Sequence, residues 1–186
     1  YKLMGNWDPN SISFQALILE KNENDYLSKP YPFYLAYALE NKAALLGDVN
    51  DWSVEHKWDG IRSQTIFRNN ELFVWSRGEE LVTDKYPEFE NLVGIIPNGT
   101  VIDAEILPYL NENIGTFNDL QKRIGRKTVS KALLKKVPVI LKAYDVLEWQ
   151  GKDIRNLHFT ERRKILEHIW QLIEDKNKAA ANRLVL

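Results

Sequence analysis

The chain has no cysteine. Disulfides and thiolate metal sites are therefore excluded, and the composition fits a reducing compartment. No apolar run approaches the length of a membrane span. The opening residues carry no signal-peptide pattern. A surplus of one charge is missing as well: the formal net charge is −1, so bulk electrostatics do not mark a nucleic-acid binder. What remains is an ordinary globular composition, 44% hydrophobic and 27% charged. Its 186 residues suffice for one sizeable core and an appended piece. Because it opens on Tyr1 and not on Met, the chain is expected to be part of something longer.

The stretch Glu55-His56-Lys57-Trp58-Asp59-Gly60-Ile61-Arg62 concentrates the chemistry. Residues 52–57 alternate like a strand, with Ser53, Glu55 and Lys57 on one face and Trp52, Val54 and His56 on the other. Asp59-Gly60 reads as a turn, where Gly60 allows a positive φ or a close approach to a ligand. A carboxylate, an amine and a guanidinium thus lie close together. They suit attack by a lysine amine on phosphorus, provided burial, a nearby cation or a metal frees the amine of its proton. Arg62 is suited to bidentate phosphate contact. Residue types alone favour a plainer reading, a solvated strand end with a Lys–Asp pair.

Around this stretch the sequence predicts several elements. Asp8-Pro9-Asn10-Ser11 opens a capped helix carrying Ile12 to Leu19. Residues 30–37, aromatic and punctuated by Pro30 and Pro32, read as an extended segment on a domain surface. Ala43 to Gly47 looks like a helix end. Two strands flank the Asn69-Asn70 turn. On the second, Arg77 follows Phe73 and Trp75 on one face, where it is either a ligand contact or a cation over Trp75. Asp84 to Phe89 reads as a helix start that carries Phe89 and Leu92 inward. After an Asn98-Gly99 turn, residues 101–107 form a strand with Asp103 and Glu105 on the face of Val101. Carboxylates on such a face need a ligand hydroxyl or a metal to justify them.

Residues 116–137 read as a capped basic helical stretch with no acidic residue from Leu120 onward. Its Lys122, Arg123, Arg126 and Lys127 are the candidate phosphate contacts, against the alternative of a solvated face. No aromatic residue interleaves there, so base stacking is not expected. Residues 139–147 read as a central strand carrying Tyr144, and residues 148–153 as a hairpin or turn. Thr160 is expected to cap an amphipathic helix with Ile165, Leu166, Ile169, Leu172 and Ile173 inward. Residues 183–186 begin a further strand.

Lys57-x-Asp59-Gly60-x-Arg62 resembles the K-x-D-G-x-R signature shared by ATP-dependent DNA ligases and messenger-RNA capping enzymes. Ser76-Arg77, Asp103-Ala104-Glu105 and Tyr144-Asp145 resemble later motifs of the same family, in the same order. Thr116-Phe117 to Arg123 resembles the ligase F-x-x-L-Q-x-R segment. Gly5-Asn6-Trp7 and Lys29-Pro30-Tyr31-Pro32-Phe33 resemble the joint between the DNA-binding and catalytic domains of bacterial ATP-dependent DNA ligases.

This resemblance implies an α+β fold of antiparallel sheets with flanking helices, the ATP-grasp-like nucleotidyltransferase (DNA ligase adenylation) fold. It further implies that Lys57 takes AMP from ATP, that AMP passes to a DNA 5′-phosphate, and that a nick is sealed. Glu55 would read the adenine amino group, and Arg62 the ribose or phosphate. Arg77 would take the sugar or DNA end, Glu105 the ribose and Tyr144 the base. Mg2+ is implied as cofactor, with Asp59 and Asp103 as possible ligands and the main ligand elsewhere. The partner would be nicked double-stranded DNA, met by a monomer in the bacterial cytoplasm with nucleoid DNA. Residues 1 to about 25 would be the tail of a preceding helical DNA-binding domain, and 26–186 the N-terminal part of the adenylation domain, incomplete at its C-terminus.

The sequence departs from the family in having no Glu-Gly dipeptide, hence no E-G-x-x-x-K segment, and no later lysine pair or OB-fold domain. Weak or no activity is expected of it alone. The alternatives are an RNA-capping-type guanylyltransferase, an RNA ligase and a non-catalytic DNA-binding module.

Overall fold

In a computed structural model, residues 10–11, 13–15, 26–40 and 43–186 are described. Their strands are β1 (Ile61–Arg68), β2 (Glu71–Ser76), β3 (Thr100–Leu110), β4 (Asn113–Ile114), β5 (Val139–Trp149), β6 (Lys152–Asp153) and β7 (Leu184–Val185). They form one seven-stranded sheet whose main path runs β2-β1-β3-β5-β6. All these pairings are antiparallel except that of β7, which joins β5 in parallel. The helices are α1 (Phe117–Ile124), α2 (Lys131–Lys136), α3 (Phe159–Lys176) and α4 (Lys178–Ala181). The α+β expectation is met, as are the two central strands. The β1–β2 hairpin turns on Asn69 and Asn70, both left-handed at φ 53° and 57°. The β5–β6 hairpin turns on Gln150 and Gly151 in the same way, at φ 50° and 79°.

The sheet has two unlike faces. Phe67, Val74, Ile102, Ala104, Ile106, Leu141 and Ala143 look toward the main core. There α3 lays down Leu166, Ile169 and Ile173, all fully buried. Burying side chains of this size is worth about 1.5–3 kcal/mol each. The opposite face mixes polar and charged side chains with a smaller buried cluster of Ile66, Phe73, Trp75, Val101 and Leu147, against which Leu27, Tyr31 and Phe33 pack. Along β1 the alternation puts Arg62, Gln64, Ile66 and Arg68 on it.

Residues 26–34 cross that mixed face as a strap without forming a strand. Pro30 and Pro32 have no N–H to give a ladder. Side chains do the work of a ladder instead. Gln64 accepts the Tyr31 N–H at 2.7 Å and donates to the Tyr31 carbonyl at 2.9 Å. Arg68 donates to the carbonyls of Tyr26 and Lys29 and pairs with Glu148, which also accepts from the Tyr31 hydroxyl. Trp75 donates its indole N–H to the Ser28 carbonyl.

Several expectations are corrected. Residues 52–59 form no strand, and β1 begins only at Ile61. The alternation there has no core to bury into, and Val54 is 92% exposed. The expected helix around residues 84–89 is two 3-10 turns, Thr83–Lys85 and Pro87–Leu92, although Phe89 and Leu92 are indeed buried. The expected end at residues 43–47 is likewise a 3-10 turn, Ala43–Leu45, followed by Gly47 at φ 80°. The basic stretch is two short helices, broken where Gly125 ends α1 and Ser130 caps α2. His158, not Thr160, caps α3; Glu161 accepts from its N–H at 3.2 Å. The helix expected over residues 8–19 lies largely outside the described residues.

Arg123 is the largest correction. It was expected on a phosphate-binding face, yet it is fully buried. It donates to both oxygens of Glu88, to the carbonyls of Lys85 and Val137, and lies over the Tyr86 ring at 4.9 Å. It therefore ties α1 to the 3-10 turns below β2. Removing one partner of a buried pair leaves the other unpaired, which costs about 3–5 kcal/mol. Arg123→Met should lose stability on that scale in urea unfolding. Arg126→Gln, on an exposed loop position, should stay within about 0.5 kcal/mol.

Candidate active site

One open cavity of about 1130 Å³ lies where the strap, the Lys57 stretch and the mixed sheet face meet. Its wall includes Glu55, Lys57, Asp59, Arg62, Arg77, Glu105 and Tyr144. Every nucleotide-site candidate from the sequence is therefore in this one wall, though they come from four separate parts of the chain. Lys57 itself is exposed on the extended segment that leads into β1. Tyr34, Leu35 and Ala36, which no motif singled out, also line the wall, as does Phe117, the first residue of the F-x-x-L-Q-x-R resemblance. Lys122, Arg126 and Lys127 lie outside it. The last two give their carbonyls to the Lys85 ammonium, which fixes that loop's backbone beside α1.

Asp103 sits at the base of the arrangement. It is almost fully buried, at 4% exposure. Arg62, on the neighbouring strand, donates to it with Nε at 3.1 Å and Nη2 at 2.8 Å. The Tyr144 hydroxyl donates to the same carboxylate at 2.9 Å. Such paired, charge-assisted bonds are what make a buried carboxylate tolerable. Both Asp103 oxygens are thus engaged within the protein. Among the described residues no group of three or more His, Asp or Glu side chains is arranged to hold a metal ion.

Arg62 is equally fixed. Its third nitrogen, Nη1, donates to the Tyr34 carbonyl on the strap. Those bonds occupy three of the five guanidinium N–H donors, and the rest remain for a ligand. The hydrogen bonds it donates to Asp103 hold the Arg62 guanidinium more firmly protonated than usual. Tyr144 owes its position to a flaw in the ladder. Asp103 pairs with Asp145 and Ala104 with Ala143, so Tyr144 has no partner across β3. A bulge of this kind re-aims a side chain, here into the cavity. Burial, and then the Asp103 charge, push its phenol well above the ordinary value, so it stays a donor. The adjacent Asp145 accepts from Arg162 at 2.8 and 2.9 Å and so ties α3 to the same strand.

Glu105 holds the turn after Lys57. Its Oε1 accepts the Gly60 N–H at 3.1 Å. Burial raises the Glu105 carboxyl above its ordinary value, opposed by that bond and by the charges of Lys57 and Arg62. Gly60 is required for close approach to β3 itself, not to a ligand. An added Cβ would lie 2.3 Å from the Ile106 carbonyl oxygen and 2.7 Å from the Leu107 side chain.

A family model described as ATP dependent DNA ligase domain matches residues 34–185. The chain belongs to the ATP-dependent DNA ligase family. A probable DNA ligase of Koribacter versatilis is 32% identical over 144 residues, which are 77% of this chain and 25% of that protein. A DNA ligase of Thermoplasma volcanium is 26% identical over 161 residues, 84% of this chain and 27% of that protein. The chain thus spans about a quarter of the length of these relatives. Among solved structures, a mycobacterial DNA ligase D complexed with ATP and MES superposes with a TM-score of 0.52 at 26% identity. The ligase domain of M. tuberculosis LigD superposes with 0.51 at 26% identity. Each match covers 63% of this chain and 36% of the other. The sheet and helices above are therefore those of a DNA ligase domain.

In this ligase fold, Gly60 decides whether the Lys57 turn can seat on β3. Gly60→Ala is expected to destabilise the chain by about 1–3 kcal/mol, the range for overpacking a tight contact. A lowered thermal midpoint would be the readout. An unchanged midpoint would mean that the turn has room the contact distances deny.

Proposed function

We propose that the chain is the nucleotide-accepting part of an ATP-dependent DNA ligase, with Lys57 as the nucleophile. The observation that carries this reading is the single cavity wall shared by Lys57, Glu55, Arg62, Arg77, Glu105 and Tyr144, in a chain of the ligase family. In the first step the neutral Lys57 Nζ attacks the α-phosphorus of ATP. The N–P bond forms, the bond to the bridging oxygen of the β-phosphate breaks, pyrophosphate leaves and the amine proton passes to solvent. AMP then passes to a DNA 5′-phosphate at a nick, and the adjacent 3′-hydroxyl displaces AMP to close the phosphodiester.

The residues divide the work by their chemistry. Glu55 accepts from the adenine amino group. A carboxylate there would meet the carbonyl of guanine and reject it. Tyr144 offers its ring to the base, while its hydroxyl is committed to Asp103. Glu105 takes the ribose, and the free donors of Arg62, with Arg77, take ribose, phosphate or the DNA end. Asp103 is the positioning group for Arg62 and Tyr144. Magnesium is expected to travel with the triphosphate and spread its charge. Asp59 borders the cavity; with no described cluster to hold the ion, no step is assigned to it. Residues from about 26 onward would be the first part of the adenylation domain, following the tail of a helical DNA-binding domain. Lys122, Arg126 and Lys127 would contact DNA phosphates, sequence-independently and with salt dependence.

Intact mass after incubation with magnesium and either ATP or GTP tests the reading. It should be measured on this chain and on a version extended through the E-G-x-x-x-K segment and the later lysines. The extended protein is expected to gain AMP and not GMP. The short chain should label poorly, because the later lysines supply cations that help free Lys57 of its proton. A folded, extended protein that gains neither nucleotide would refute the reading, and GMP uptake would move it to a guanylyltransferase.

A further inference from the structure

Glu55, the residue read here as the judge of the base, stands on a segment that forms no strand. Its side chain is 44% exposed. A glutamate so placed has many rotamers, and a mobile carboxylate discriminates poorly. Adenine offers a 6-amino donor. Guanine offers O6 there, but its N1–H and 2-amino donors lie only a short distance along the same edge. A carboxylate free to swing could accept from those instead. Selectivity for adenine therefore needs Glu55 held, and held by one oxygen so that the other can accept from the base.

The structure provides such a hold from an element far along the chain. Arg163, in the second turn of α3, brings Nη1 to 3.8 Å from Glu55 Oε1. Among the described residues no partner is seen on the other Glu55 oxygen. Arg163 is itself steadied by Glu167, one helical turn on, at 3.4 Å. A second cation stands nearby on β5. Lys142 lies over the Trp58 ring at 5.4 Å, and its ammonium donates to the Leu186 carbonyl. Burial and the Arg163 charge lower its ammonium, and the Glu55 charge opposes them. Arg163 is thus the scaffold cation paired with this carboxylate, and Lys142 adds positive charge in its neighbourhood. Neither belongs to the motifs that resemble the ligase signature.

We propose that Arg163 is a positioning residue that fixes Glu55 for the choice of adenine over guanine, with Lys142 as its auxiliary charge. The inference rests on the ligase reading above. Helix α3 is docked by Leu166, Ile169, Ile173 and the Arg162–Asp145 pair, so Arg163 is not needed to hold the helix.

The test is the ratio of kcat/KM for ATP to that for GTP in enzyme–nucleotide formation, measured on the extended protein. The variants are Arg163→Gln, Arg163→Lys, Lys142→Met and, as reference, Glu55→Gln. A partly exposed ion pair is worth little, so Arg163→Gln should lower the ratio roughly two- to fivefold, mainly through a higher KM for ATP. Arg163→Lys, which keeps the charge, should restore most of it. Lys142→Met should lower the ratio less. Circular dichroism melts should match the parent, which a purely structural role for Arg163 would not allow. If Glu55→Gln erodes the preference while Arg163→Gln and Lys142→Met leave it intact, the proposal is overturned and the ligase reading stands. If Glu55→Gln leaves the preference intact, the proposal falls with its premise. If the parent accepts neither nucleotide, it is the ligase reading that has failed.

Discussion

A buried carboxylate cannot stand alone, and Asp103 is nearly devoid of solvent. Its need for partners organises the site. It draws Arg62 from β1 and Tyr144 from β5 onto one point, and Arg62 in turn binds the strap through Tyr34. Three strands and the segment ahead of them are thereby tied together at the floor of the cavity. A site assembled in this way has its cation and its aromatic ring fixed before any ligand arrives. Preorganisation of that kind is what lets charge developing at phosphorus be met without rearrangement.

The same logic extends along the sheet. One face is apolar and carries α3; the other carries Arg62, Gln64, Arg68, Glu105, Tyr144 and Glu148. Beside these polar groups the same face holds a small apolar cluster of Ile66, Phe73, Trp75, Val101 and Leu147. This face has two uses, at one end clasping a proline-bearing strap that cannot pair as a strand, at the other lining the cavity. Gly60, pressed against β3, and Glu105, accepting its N–H, join the exposed Lys57 segment to the floor of the cavity. Lys57, the proposed nucleophile, is thus left exposed while the turn that follows it is anchored.

Much of this was legible in the sequence wherever the signal is local. The Asn69-Asn70 hairpin, the long strands β3 and β5, and the apolar stripe of α3 follow from turn chemistry and periodicity alone. The motif residues converge on one cavity because their resemblance to a family supplied their relation, which no spacing could. What failed was read from local pattern but is decided at a distance. Residues 52–57 alternate, yet Trp52 and Val54 have no core opposite them. Arg123 sits in a run of basic residues, yet its partner Glu88 is 35 positions away. The partner of Asp103 is Arg62, 41 positions earlier, and it is invisible until the strands pair. Arg163 gave no signal at all, since a helical arginine one turn from a glutamate is an ordinary surface feature.

Lys57, among the many lysines of the chain, is proposed to receive the nucleotide. The most direct measurement is peptide-level mass spectrometry of the extended protein after incubation with ATP and magnesium, with fragmentation that locates the added AMP. The account expects the phosphoramidate on Lys57 alone and its disappearance in Lys57→Ala. AMP on another lysine, or labelling that survives the substitution, would contradict it.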